Sequence, residues 1–92
     1  MAEFLVEWFV SRTDLGAVER NAILAGQAAV QLSHEGASIR FVRSIYIAED
    51  ETCFHHYEAR TLDAVRTATQ RAAVPYERII EAVTDPPCGA AV

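Results

Sequence analysis

Residues 38–59 read SIRFVRSIYIAEDETCFHHYEA, and the parsing of this stretch decides the fold. Ser38 to Ala48 is dense in branched and aromatic residues, Thr52 to Ala59 is built the same way, and the acidic run Glu49, Asp50, Glu51 separates them. Two β-prone runs joined by a short polar tip predict the strands of an antiparallel hairpin. Upstream, Leu15, Val18, Ala22, Ala25, Ala29 and Leu32 recur at steps of three and four, the spacing of one helix face; Thr13 or Asp14 is placed to cap that helix and Gly36 to stop it. Downstream, Leu62, Val65, Ala68, Thr69 and Ala72 repeat the pattern, Thr61 is the cap, and Pro75 prevents continuation. A helix therefore lies on either side of the hairpin.

Strands complete the two ends. Glu3 to Val10 alternates Phe4, Val6, Trp8 and Val10 against Leu5, Glu7 and Phe9, and is apolar on both sides. Tyr76 to Asp85 carries Ile79, Ile80, Ala82 and Val83. The order along the chain is βαββαβ, the α+β plan called ferredoxin-like, with a four-stranded antiparallel sheet. No linker, repeat or low-complexity run divides it, so residues 1–86 read as a single domain and 87–92 as a loose C-terminal tail.

Composition narrows the function classes. An apolar fraction of 51% and a charged fraction of 23% suit a folded globular chain. The net charge of −5 argues against a nucleic-acid partner, because phosphate binding needs clustered cations. All eight basic residues are Arg. Without lysine, Schiff-base chemistry and a lysine-anchored pyridoxal phosphate are excluded. Cys53 and Cys88 form no disulfide framework, and no signal peptide or run of the ~20 apolar residues needed to span a bilayer appears, so a cytoplasmic protein without a membrane partner is expected. There is no phosphate loop, CxxC pair, HExxH or nucleophilic Ser motif, hence no nucleotide, haem or zinc-protease signature.

In a half-covered sheet the helices shield one face and the other needs solvent or a second subunit. The first strand is apolar on both faces. The second offers Phe41, Ile45 and Ile47 on one side and Val42 and Tyr46 on the other, so a homodimer closing sheet against sheet into a dimeric α+β barrel is expected. Alternation groups Leu5, Glu7 and Phe9; Phe41, Arg43 and Ile45; Phe54, His56 and Glu58; and Ile79, Glu81 and Val83. Alternation fixes parity within a strand but not between strands. With all four sets on the face away from the helices, Glu7, Arg43, His56, Glu58 and Glu81 converge on one enclosed cavity. Glu7, His56, Glu58 and Glu81 then form a candidate divalent-metal set, the imidazole favouring nickel, zinc or copper over magnesium. The same cavity also suits a small-molecule ligand or a cofactor-independent cyclase or isomerase, with Glu7 or His56 as general base and Arg43 holding an anionic substrate.

The remaining polar residues have plainer readings. His55 and His56 are adjacent in a strand and point to opposite faces, so they are no chelating pair. His55 packs beneath a helix or near an edge with its nitrogens hydrogen-bonded, His34 complements the helix dipole at the end of the first helix, and Trp8, Tyr46 and Tyr57 are core or cavity-lining residues.

The opening EFLVE, the strand RFVRS, YEA before a capped helix, AVR within it and the late VPYERIIEAVTDP together resemble a small ferredoxin-like family common in actinobacteria. Its best-described type is a homodimeric nickel-binding protein. The likeness runs from Glu3 to Pro86, and it implies a ferredoxin-like dimer and divalent-metal binding, nickel foremost. The family pattern often carries a histidine before the serine of the second strand and another in the second helix. This chain has Arg43 and Ala68 there, and a guanidinium is no ordinary ligand.

Overall fold

The structure, a computed structural model, describes residues 1–85. Its elements are β1 (Ala2–Phe9), α1 (Leu15–His34), β2 (Ile39–Ile47), β3 (Thr52–Ala59), α2 (Leu62–Arg71) and β4 (Arg78–Ala82). The antiparallel sheet has the order β2-β3-β1-β4. Thus βαββαβ and the ferredoxin-like plan hold. The fourth strand is shorter than the Tyr76–Asp85 span, and the loose tail falls outside the described residues.

Local chemistry sets the helix ends. Thr61 caps α2 by accepting the Ala64 amide at 3.2 Å. At the end of α1, Gly36 takes φ 103°, Ala37 N–H donates to Leu32 and Gly36 N–H donates to Ser33, the paired bonds that close a Schellman turn. The same bonds end α2, from Val74 to Thr69 and Ala73 to Gln70, but Ala73 holds the left-handed position at φ 57°. A Cβ is strained there.

The core lies between the sheet and the helices. Phe4, Val6 and Trp8 of β1, Cys53, Tyr57 and Ala59 of β3, Ala25, Ala28, Ala29 and Leu32 of α1, and Val65 and Ala68 of α2 are buried together. Leu15, at the start of the predicted α1 face, is instead 54% exposed, and the helix begins to pack against the core at Ala17 and Val18. Trp8 and Tyr57 are core residues, and Tyr46, on the same face, reaches toward the Val10 carbonyl. None of the three lines a cavity on the open face.

Two registers depart from the simple alternation. Between Phe41 and Arg43 a β-bulge inserts Val42: Phe41 pairs with Tyr57, whereas Arg43 pairs with the next residue of β3, His56. The extra residue reverses parity along β2. Phe41 therefore faces the helices, and of that predicted set only Arg43, with Ile45 and Ile47 beyond it, shares the open face with Phe54 and His56. On β4, Glu81 pairs with Phe4 and Ile79 with Val6, both helix-facing residues of β1. The open face of β4 carries Arg78, Ile80 and Ala82. Glu81 is exposed on the opposite side from Glu7, His56 and Glu58.

Candidate functional site

The open face of the sheet positions the charged residues. His56, on β3, stands opposite Leu5 of β1, with Glu3 and Glu7 as its two diagonal neighbours, close enough for long side chains to choose between them. The ring takes Glu3: His56 Nε2 lies 2.8 Å from Glu3 Oε1, and Thr84 Oγ1 donates to the other carboxylate oxygen at 2.6 Å. Both partners are buried, their side chains 6% and 9% exposed. With a Glu3 carboxylate as acceptor, Nε2 is the donating nitrogen, and in the neutral ring Nδ1 then carries the free lone pair.

Glu7 goes the other way, accepting from Arg78 Nε at 3.0 Å, and Glu58 accepts from Arg40 at 2.6 Å. Arg43, exposed, sits in register with His56 and forms no ion pair among the described residues. The face thus brings His56, Glu7, Glu58 and Arg43 onto one surface and excludes Glu81. It does not draw the carboxylates around the imidazole, because each has its own guanidinium. Glu3 and Thr84 are the members that sequence reasoning missed. The signal for Glu3 was present, since it has the parity of Leu5 and Glu7, but nothing in one strand tells which of two diagonal carboxylates the histidine engages.

Nickel is the metal at issue, and the donors of one chain do not fit it alone: among the described residues no three His, Cys, Asp or Glu side chains stand together as a metal-holding group. Besides these charged groups the same face carries apolar side chains. Leu5, Phe54 and Ile80 are half-buried on the open face, and Phe9, Ile45 and Ile47 are 57%, 41% and 38% exposed.

The opposite face holds a second unusual group. His55 is 1% exposed, edge-on to the rings of Trp8 and Phe41 at centroid distances of 5.4 and 5.3 Å, and neither nitrogen has a hydrogen-bond partner among the described residues. The expected hydrogen bonds are replaced by aromatic edges. Burial away from any compensating charge holds its pKa down to about 4. Tyr57 is pushed up to about 12 by burial against a smaller opposing pull from Thr69, although its hydroxyl reaches no acceptor within bonding geometry. Cys53, the partner of Trp8 across the sheet, is raised by burial to about 11, so its thiol is inert. No helix among the described residues is long and apolar enough to cross a membrane.

Comparison with known proteins agrees with this architecture. No curated protein matches. A solved structure, the crystal structure of SCO4226 from Streptomyces coelicolor A3(2), superposes with a TM-score of 0.59 at 18% identity, covering 88% of this chain and 95% of that one. At that identity the likeness carries the fold alone. Residues 4–82 match the model of the nickel responsive protein family named SCO4226-like, a span that runs from Phe4 within β1 to the last residue of β4 and includes both helices, and the chain belongs to that family.

Proposed function

We propose that the protein is a cytoplasmic homodimer that binds a divalent metal ion, nickel by its family, at the open face of the sheet, with a donor set assembled from two chains. The observation that carries this reading is the buried Glu3–His56 pair on the sheet face that also bears the exposed apolar side chains Phe9, Ile45 and Ile47. A carboxylate holding one imidazole nitrogen is the usual partner of a histidine that ligates through the other. The described residues of one chain lack a full set, and the neighbouring Phe9, Ile45, Ile47 and Phe54 are what a second sheet would cover, so covering the face and completing the set are one event. Glu7 and Glu58 are the further donors that closure would bring into range, each after release from its guanidinium.

Calorimetric titration of metal-free protein with nickel chloride, alongside sedimentation analysis of its oligomeric state, tests the proposal. The expected result is a dimer that binds nickel at micromolar concentration, with affinity lowered about tenfold or more by His56→Ala and by Glu3→Ala. A monomer, or a dimer giving no heat with micromolar nickel, refutes it.

One observation favours a second reading. Arg43 pairs in register with His56 and has no acidic partner among the described residues, an arrangement suited to an anionic organic ligand and, with His56 or Glu7 as base, to cofactor-independent cyclase or isomerase chemistry. An organic molecule bound beside Arg43 in a crystal of the purified protein would carry that reading, and a face filled by the partner's side chains would remove it.

A further inference from the structure

A groove of about 900 Å³ runs between α1 and β2, on the helix side of the sheet. Ala22, Ile23, Gly26 and Val30 form its α1 wall, and Ile39 and Phe41 its β2 wall. The volume lies in the range of small-molecule clefts, roughly 300–1,000 Å³. Small residues on the helix create it: a Cβ on Gly26 would meet only the Phe41 ring, at 3.8 Å.

Phe41 is the joint between this groove and the unexplained polar groups of the core. Its ring is a wall of the groove and at the same time packs edge-on to His55 and Tyr57, both at 5.3 Å. Behind it lie the side chains of Trp8, Ser44, His55 and Tyr57, whose buried polar atoms have no hydrogen-bond partner among the described residues. His55 and Tyr57 are 1% and 0% exposed. Buried polar atoms without partners are costly and uncommon, and several in one place ask for an explanation. The chain supplies no carboxylate to the groove walls, and Arg40 at one end is already bonded to Glu58. His34 and Arg40 line the groove where α1 ends and β2 begins, whereas the wall of Ala22, Ile23, Gly26, Val30 and Phe41 is apolar, and an aromatic wall backed by neutral hydrogen-bonding groups complements a flat, uncharged ligand.

We propose that the α1–β2 groove is a second ligand site, separate from the open face of the sheet, for a small uncharged aromatic molecule bearing one hydroxyl or carbonyl oxygen. Phe41 is its movable wall: rotation of that ring lets the oxygen reach His55 or Tyr57 while the ring system lies against Ile23, Val30 and the Ala22–Gly26 surface. The site uses none of the residues assigned to the metal face, so the two readings stand or fall independently.

The test uses 2-naphthol and naphthalene as probes, titrated into the full chain and followed by amide and imidazole NMR shifts. The expected result is saturable binding of 2-naphthol with shifts at Gly26, Val30 and the His55 ring, about fivefold tighter than naphthalene, as one buried neutral hydrogen bond would give. Gly26→Leu fills the groove and abolishes binding, while His55→Phe or Tyr57→Phe, according to which group meets the oxygen, keeps the aromatic packing and brings 2-naphthol down toward naphthalene; neither doing so overturns the proposal. Equal affinity for the two probes in the unaltered chain overturns the proposal, as does absence of shifts at Gly26 and Val30. Binding that survives Gly26→Leu in a folded variant also overturns it.

Discussion

Acidification should weaken this fold through one residue, His55. Its ordinary value of 6.5 applies in the unfolded chain, and burial lowers it to about 4 in the folded one. Between these values the unfolded chain binds a proton that the folded chain refuses, so the contribution is neutral above pH 6.5 and stability is lost as pH falls toward 4. Integrating the two titrations gives a loss of about 2 kcal/mol between pH 7 and pH 5, and about 3 kcal/mol by pH 4. For a chain of this size that is a shift of about 1–2 M in the urea midpoint. Carboxylates also titrate in this window, so the informative quantity is the difference between the unaltered chain and His55→Phe. Phenylalanine keeps the edge contacts with Trp8 and Phe41 and removes two unpartnered nitrogens. Urea denaturation followed by circular dichroism at pH 7, 6, 5 and 4.5 should show the variant at least as stable at pH 7 and losing about 2 kcal/mol less on going to pH 5. Parallel curves for the two proteins, or an NMR titration placing the His55 ring near 6.5, would refute the reasoning.

Three further outcomes follow from the geometry. Ala73→Gly relieves the left-handed position that ends α2 and should stabilise by about 0.5–1 kcal/mol, read as a rise of several degrees in the thermal midpoint. Tyr57→Phe removes a hydroxyl that reaches no acceptor and should leave the urea midpoint unchanged or higher, whereas an average buried tyrosine would lose about 1 kcal/mol. In a chain carrying Cys88→Ser, the buried Cys53 should resist a chromogenic disulfide reagent at pH 7.5 and react only when denaturant is added; prompt reaction in the native state would show that the sheet opens locally.

The fold was legible because its signals are local. Thr61 as a cap, Gly36 as a stop and the acidic tip between two β-prone runs each act over a few residues, and together they dictate the element order. The site was legible only by halves. Within β1 and β3, alternation correctly placed Glu7, His56 and Glu58 on one face. Across strands it failed wherever pairing decides: Glu81 lies on the helix side because Phe4 is its partner, and the Val42 bulge takes Phe41 away from Arg43. The choice of Glu3 over Glu7 by His56 depends on Arg78, which is 71 residues from Glu7, and on Thr84 beyond the end of β4. Such selections are made by competition among side chains in three dimensions, and no periodicity records them. His55 shows the converse. Its burial followed from parity, but its lack of hydrogen bonds reflects which rings happen to surround it.

The bulge at Val42 gives β2 two independent halves. Ahead of it, Ile39 and Phe41 belong to the groove; after it, Arg43, Ile45 and Ile47 belong to the open face. Because Phe41 and Arg43 pair with successive residues of β3, excising Val42 would leave both halves in their present pairings and remove only the offset between them. A designer, or natural variation, can therefore change Arg43, Ile45 and Ile47 to alter what the sheet face binds while the groove residues, and the helix-facing Ser44 and Tyr46, stay as they are, with one unpaired residue serving as the offset between two surfaces of a single strand.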